Sequence, residues 1–415
     1  MSEADIVTFG CRLNAYESEA IRQRLKTAGI EDAIVVNTCA VTAEAVRQSH
    51  QAIRKIKREQ PDKRIIVTGC AAQIIPDTYA AMTEVDLVLG NAEKMNAANY
   101  ARGANDRTRV GDIMTIDTAE PHFVPGFDGK SRAFLQVQNG CDHRCTFCII
   151  PFGRGPSRSV PLDAIVAEAR GLIDNGYGEI VLTGVDLTSY GADLSDTPSL
   201  GLLVRTLLRR LPGLKRLRLS SIDSIEADET LMAVIAEEER LMPHFHLSAQ
   251  SGDDMILKRM KRRHSRADTV RFCDDVRKAR PDAIFGADLI AGFPTETDAM
   301  FENSLKLIDD AGLSLLHVFP YSARTGTPAA KMPQLPRALV KDRARLLRSK
   351  GEAALATTLE RHVGSVQEIL VEKPGLGRTR GFLPVVFTKP LEAGAIVSGR
   401  IVKAGNGHLH ADIQS

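Results

Sequence analysis

The chain of 415 residues has no tryptophan, only 5% aromatic residues and a formal net charge of +2, from 54 basic and 52 acidic residues. A charge so close to zero gives no global sign of a nucleic-acid partner, so charge must be read segment by segment. No apolar run approaches the ~20 residues that a bilayer-spanning helix needs. The first residues, MSEADIVTFGC, are acidic where a secretory leader would be basic. A cytoplasmic location and no membrane partner are therefore expected. Cysteine is sparse and odd in number, seven in all. That excludes a disulfide-stapled scaffold and favours ligands or free thiols in a reducing compartment. What is present is ordinary for a globular protein: 43% hydrophobic and 26% charged residues. At roughly 100–200 residues per domain, the length predicts two to four domains.

The cysteines fall into two groups and a remainder. Cys11, Cys39 and Cys70 each end a short apolar run, IVTFGC, IVVNTC and IIVTGC. Such β-branched runs read as buried strands of a parallel sheet. The stretches Ser18 to Ala28 and Ala43 to Glu59 between them read as helices. Successive strand–helix units bring strand C-termini to one sheet edge, where ligands of open α/β sheets gather. The three thiols are thus expected together as a cluster site; the alternative is three unrelated buried cysteines. Cys141, Cys145 and Cys148 form a compact C-x3-C-x2-C group in NGCDHRCTFC. Three thiolates on one loop select zinc or an iron–sulfur cluster over hard cations. A closed zinc site would want a fourth ligand nearby, and His143 sits poorly for that. Cys273, in the helical stretch TVRFCDDVRKA, reads as a core thiol.

The compact group follows a strand, Phe134 to Asn139, and five further strand-like runs follow: 179–184, 216–221, 244–251, 283–293 and 313–321. Helical stretches at 161–175, 199–211, 226–240, 266–279 and 298–311 alternate with them. Repeated β-α units imply a parallel barrel or an open partial form of one, with function at the strand C-terminal ends. Gly184, Asp186, Ser220, Ser221, Ser248, Gln250, Asp288, Gly292 and Tyr321 fall at those ends. Residues 361–415 change texture to short β-branched runs between Gly and Pro, which reads as a small antiparallel β-barrel.

These strings carry a family resemblance. C-x3-C-x2-C after the first barrel strand, with Phe147 before the last cysteine, resembles the radical S-adenosylmethionine superfamily. TFGCRLNAYESE, VVNTCAVT, VTGCAAQ, QNGCDHRCTFCIIPFGRGPSRS, LTGVDLTSYG, HLSAQSGDDMILKRMKRRHSR and GADLIAGFPTETD resemble the methylthiotransferases within it. CRLNAYE and CTFCIIPFGRG are most similar to the branch that methylthiolates N6-threonylcarbamoyladenosine in tRNA. The resemblance covers essentially the whole chain. It implies an α/β protein in four parts: an N-terminal parallel α/β domain over 1–118, a partial (β/α)6 barrel over 119–336, a basic helical connector over 337–360 and a TRAM-like β-barrel over 361–415. It also implies that Cys141, Cys145 and Cys148 hold a [4Fe-4S] cluster that binds S-adenosylmethionine and releases a deoxyadenosyl radical. Cys11, Cys39 and Cys70 would hold a second [4Fe-4S] cluster carrying the sulfur to be inserted. Phe147 would pack the adenine, Gly184 would let backbone approach the cofactor's amino group, and Asp186, Ser221, Gln250 and Asp288 would contact its polar groups.

The implied partners are the anticodon loop of tRNA, an electron donor of flavodoxin or ferredoxin type, and a sulfur donor. Three basic segments support an RNA partner: 47–64, 258–266 and 331–350. The last has a helical period with Leu339, Ala344, Leu346 and Leu347 as its apolar side. The tail offers Phe382 and Phe387 as aromatic residues but no larger stacking set, so backbone and shape recognition are expected there. The segments 119–133 and 322–336 read as linkers. Alternative readings keep the chemistry but change the substrate to isopentenyl-adenosine in tRNA or to a ribosomal protein. A third reading is a non-catalytic iron–sulfur protein that binds RNA or serves redox.

Overall fold

The computed structural model describes residues 5–101, 107–127 and 129–413; Glu3, part of the acidic N-terminal string, lies outside this range. The N-terminal unit is a five-stranded parallel sheet in the order β1 (Asp5–Thr8), β2 (Ala33–Thr38), β3 (Arg64–Gly69), β4 (Leu87–Leu89), β5 (Thr108–Arg109). Helices α1 (Arg12–Thr27), α2 (Ala43–Glu59), α3 (Cys70–Ile74) and α4 (Pro76–Ala80) connect the strands. Strand β2 is buried along its whole length, as an apolar run with neighbours on both sides should be. Helix α1 starts at Arg12, directly after Cys11, rather than at Ser18. Polar residues inside its first turns, Asn14 and Glu17, are buried against the site instead of facing water.

The central unit has two three-stranded parallel sheets that curve into an open barrel. The first is β10 (Arg216–Leu219), β9 (Glu179–Thr183), β6 (Ala133–Gln136), and the second is β11 (His244–Gln250), β12 (Ile284–Ala291), β13 (Leu313–Pro320). The bridges Leu217–Leu241 and Ile222–Leu247 join them. A short antiparallel pair, β7 (Gln138–Asn139) with β8 (Arg158–Ser159), brackets the C-x3-C-x2-C loop and helix α5 (Ile150–Arg154). Helices α6 (Leu162–Asp174), α7 (Leu200–Arg210), α8 (Glu229–Glu237), α9 (Asp254–Arg259), α10 (Arg266–Ala279) and α11 (Asp298–Asp310) intervene. One continuous apolar core fills the space between these helices and the strands, and Cys273 lies wholly inside it.

Helix α12 (Arg337–Glu360) leads into β14 (Val366–Lys373), β15 (Leu376–Thr379), β16 (Pro384–Val386), β17 (Ile396–Gly405) and β18 (His408–Ile413), which close into a barrel. Its pairs are antiparallel except β16 with β18, which run parallel and seal it. Two sequence expectations change here. In α12 the buried side is Val340, Arg343, Ala344, Leu347 and Gly351, while Leu346 faces out. Neither tail phenylalanine is free for RNA. Phe387 belongs to the small barrel's core, and Phe382 turns toward the large barrel, stacked on His244 with centroids 5.0 Å apart. No described helix is long and apolar enough to cross a membrane.

Candidate functional site

Each half of the site begins with a strand that ends in glycine and cysteine. Gly10 has φ +96°, and a Cβ there would lie 2.8 Å from the Cβ of Cys39. Gly69 has φ +95°, and its Cβ would lie 2.4 Å from the Thr38 carbonyl oxygen. Only glycine takes that conformation in that space, and the turn it makes sends the following cysteine off the sheet edge. Asn14 ties the loops together. Its Nδ2 donates to the carbonyls of Phe9 (2.7 Å) and Thr38 (3.0 Å).

Across a cavity of about 330 Å³ lies the second thiol group. The cavity is lined by Cys11, Cys39, Cys70, Cys141, Cys145 and Cys148, and also by Phe147, Gly184, Asp186, Ser221, Gln250 and Asp288. All twelve positions singled out in the sequence therefore meet at one place. Of the four other strand-end residues, Ser248 also lines it, whereas Ser220 does not, Gly292 packs on Val340 and Tyr321 lines an adjoining hollow.

Gln138 organises the compact loop and was not foreseen. It is fully buried. Its Oε1 accepts from the Val185 (3.0 Å) and Asp186 (2.9 Å) amides, and its Nε2 donates to the Gly140 carbonyl at 2.8 Å. A side chain at Gly184 would collide with it, since a Cβ there would be 2.9 Å from Oε1. Gln250 is held at φ +63°, a conformation that is strained for a residue with a side chain and is concentrated at functional sites. Asp288 is 2.9 Å from His246 Nε2 and 3.3 Å from His317 Nδ1. Burial opposes its charge, but these two imidazoles outweigh that and hold its pKa at about 2. His143, given no role from sequence, places Nε2 2.9 Å from Asp186 at the cavity wall.

A guanidinium reaches each thiol group. Arg262 Nη1 points at Cys145 Sγ at 3.6 Å and is braced by Asp223 at 2.5 Å. Arg154 Nε donates to Cys70 Sγ at 3.0 Å. Arg154 also pairs with Glu17, and Lys94 Nζ donates to the same carboxylate at 2.7 Å. Burial alone would raise the Glu17 pKa, yet Arg154 and Lys94 hold it at about 2. Arg154, Lys94 and Glu17 are at most 2% exposed. Two cations against one anion leave one buried positive charge in excess beside Cys70, which is costly unless an anion joins it. Neutral thiols do not supply one, and burial pushes Cys39 up to about 12. A cluster held by thiolates does supply it. Among the described residues, the donor sets that lie wholly within 4.8 Å are His246–Asp288–His317 and His143–Asp186–Glu226; neither thiol trio is that tight. One tetrahedral zinc would hold its sulfurs about 3.8 Å apart, from bonds of about 2.3 Å. Both trios are thus more open than the sulfurs around a single tetrahedral ion.

In the basic run 258–266, Lys258, Lys261 and Arg263 are exposed, and the other arginines are partly enclosed. Arg262 turns into the cavity, Arg259 donates to Thr295, Arg263 pairs with Glu226 and Arg266 with Asp310.

Comparison with known proteins agrees with this arrangement. Residues 135–308 match the radical SAM superfamily, and residues 3–90 match a family described as Uncharacterized protein family UPF0004. A protein of Rickettsia prowazekii, the threonylcarbamoyladenosine tRNA methylthiotransferase MtaB, is 52% identical over 98% of this chain and 96% of its own length. The chain belongs to the radical S-adenosylmethionine methylthiotransferase family. The MtaB of Bacillus subtilis is 35% identical over 96% of this chain and 93% of that protein. A tRNA-2-methylthio-N(6)-dimethylallyladenosine synthase of Cereibacter sphaeroides is also 35% identical, over 97% of both chains. Among solved structures, the radical S-adenosylmethionine methyltransferase TsrM of Kitasatospora setae superposes with a TM-score of 0.56 at 15% identity, covering 80% of this chain and 77% of that one, a likeness of fold. Membership of this family implies S-adenosylmethionine and a [4Fe-4S] cluster.

Proposed function

We propose that this enzyme inserts a methylthio group at C2 of N6-threonylcarbamoyladenosine, beside the anticodon of a tRNA. The observation that carries the two-centre chemistry is the single cavity on which both thiol trios open. The identity of 52% over nearly the full length with an MtaB protein supports the threonylcarbamoyl branch.

In this reading Cys141, Cys145 and Cys148 hold the cluster to which S-adenosylmethionine binds, and Cys11, Cys39 and Cys70 hold a second one. When bound, this cofactor set supplies a carbon-centred radical, a methyl group and a sulfur atom, chemistry no side chain provides. The chain's own residues position and enclose it. Gln138 fixes the backbone of Gly184, Val185 and Asp186 against the compact loop, so the cavity wall is set before any ligand enters. Asp288 stays a carboxylate across the working pH range and can accept hydrogen bonds from a ribose or an ammonium group. Phe147 offers an aromatic face at the rim, packed against the Ile290 and Phe293 cluster. Arg154 supplies the charge-assisted donor to Cys70, and Glu17 with Lys94 keeps that guanidinium in place. The division of the chain at residues 118, 336 and 360 is part of the same proposal, as are an external one-electron donor and a sulfur donor.

The test is nucleoside mass spectrometry of tRNA from cells lacking this protein. Loss of the methylthio group from the threonylcarbamoyl nucleoside alone is expected. Loss from the isopentenyl nucleoside instead, or an unchanged profile with an altered ribosomal protein, would assign another substrate.

A further inference from the structure

Among the described residues, one arginine of the barrel interior beneath the cavity forms no ion pair. Glu179 accepts from Arg132 at 2.9 Å and from Arg218 at 3.0 Å, and lies 3.5 Å from Arg216. Asp288 is taken by its two histidines. Arg12 stands apart. Among the described residues it forms no ion pair, and its one hydrogen bond runs from Nη1 to the Ser220 carbonyl at 3.1 Å. The remaining donors of its planar fork are uncommitted. Beside it, Ser220 Oγ is buried with no partner. Arg12 immediately follows Cys11, and the carbonyl it holds immediately precedes Ser221; Cys11 and Ser221 both line the cavity, so the guanidinium is anchored within one residue of its wall on either side.

A guanidinium fork with a hydroxyl beside it is suited to a carboxylate, which it can grip through two parallel N–H···O bonds. The two nucleosides that this chain's relatives act on differ in this respect. A threonylcarbamoyl substituent ends in a carboxylate and a hydroxyl; a dimethylallyl substituent is wholly apolar. We propose that Arg12, with Ser220 Oγ, binds the carboxylate of the substrate's threonyl group and so selects that nucleoside over the apolar one. This deepens the substrate reading above and rests on it. The methionyl carboxylate of S-adenosylmethionine has the same chemistry, so the test must separate the two sources.

The reconstituted full-length enzyme and its Arg12→Gln and Arg12→Lys variants are given tRNA bearing either threonylcarbamoyladenosine or its methyl ester. Methylthio product is measured by mass spectrometry. Iron content, and deoxyadenosine release from S-adenosylmethionine without tRNA, are measured alongside. The wild type should prefer the acid to the ester by about 100-fold in kcat/KM, because the neutral ester leaves the fork unpaired. Arg12→Gln should lose about 100-fold on the acid, mostly in KM, and treat acid and ester alike. Arg12→Lys should recover part of the preference, with iron content and deoxyadenosine release unchanged in both. Equal use of acid and ester by the wild type would overturn the inference. So would loss of deoxyadenosine release in Arg12→Gln, which would assign the arginine to the cofactor, or loss of iron, which would make it a mere support of Cys11. A wild type that releases deoxyadenosine but modifies neither tRNA would overturn the substrate reading itself.

Discussion

Cys145 is buried and faces Arg262, whereas Cys70 faces Arg154; each trio has its own guanidinium although they share a cavity. Cys145→Ala should therefore keep one cluster, with about half the wild-type iron, and lose deoxyadenosine formation. Continued turnover would refute the assignment of the compact loop. Arg154→Leu removes the cation bonded to Cys70 and leaves Glu17 buried with Lys94 alone. Glu17 keeps Lys94 as its counter-ion, so no carboxylate is stranded and the loss falls on the thiolates. The expected result is weaker iron retention at Cys11, Cys39 and Cys70, read by iron analysis in a Cys145→Ala background. At this scale the cysteines and strand-end residues were legible, because short motifs carry them. Arg154, Glu17 and Lys94 were not. They stand 137 and 77 positions apart in sequence, and a buried arginine looks no different in a string from an exposed one. Arg262 shows this from the other side, since a run of basic residues reads as a solvated face until the fold turns one of them inward.

At the scale of elements, the junction between the two barrels rests on Phe382 and Glu179. Phe382 holds φ +67° and sits under the guanidinium groups of Arg378 (4.6 Å), Arg218 (4.8 Å) and Arg132 (5.2 Å). A left-handed conformation in a bulky residue costs roughly 1–2 kcal/mol, so the cage must return more than that. Phe382→Ala should loosen the small barrel by about 3 kcal/mol, seen as earlier hydrogen exchange in β14–β18 with the large barrel unchanged. Glu179 is fully buried among three arginines. Burial alone would raise its pKa, but Arg218 and Arg132 lower it to about 2. A carboxyl with a depressed folded pKa contributes stability that is present above its unfolded value near 4.5 and is lost as pH falls toward 2. Glu179→Gln should thus flatten the acid limb of the stability curve while lowering stability at neutral pH; an unchanged acid limb would contradict this role. Strands and helices of the large barrel were readable because β-branched runs alternate regularly with amphipathic stretches. The docking through Phe382 was not, since an aromatic residue in a Gly-rich turn gives no sign of which neighbour it meets.

For the whole molecule, the near-zero net charge hides a division of labour. Arg262 of the run 258–266 turns into the cavity, and Arg343 of α12 is buried against Glu296 at 2.9 Å. Helix α2 keeps several of its basic side chains exposed, among them Arg54, Lys55 and Arg58. Substituting those three with Gln should weaken tRNA binding and make its salt dependence shallower by up to about three in the log–log slope, without altering deoxyadenosine release. The central claim is that both trios act on one substrate within one cavity. The most direct measurement is a single anaerobic reaction of the reconstituted enzyme with S-adenosylmethionine, a reductant, sulfide and tRNA carrying threonylcarbamoyladenosine, followed by nucleoside mass spectrometry. The wild type should yield a methylthio-threonylcarbamoyl nucleoside and neither Cys39→Ala nor Cys148→Ala any, with deoxyadenosine still released by Cys39→Ala. Methylthiolated product from the Cys39→Ala enzyme would contradict it.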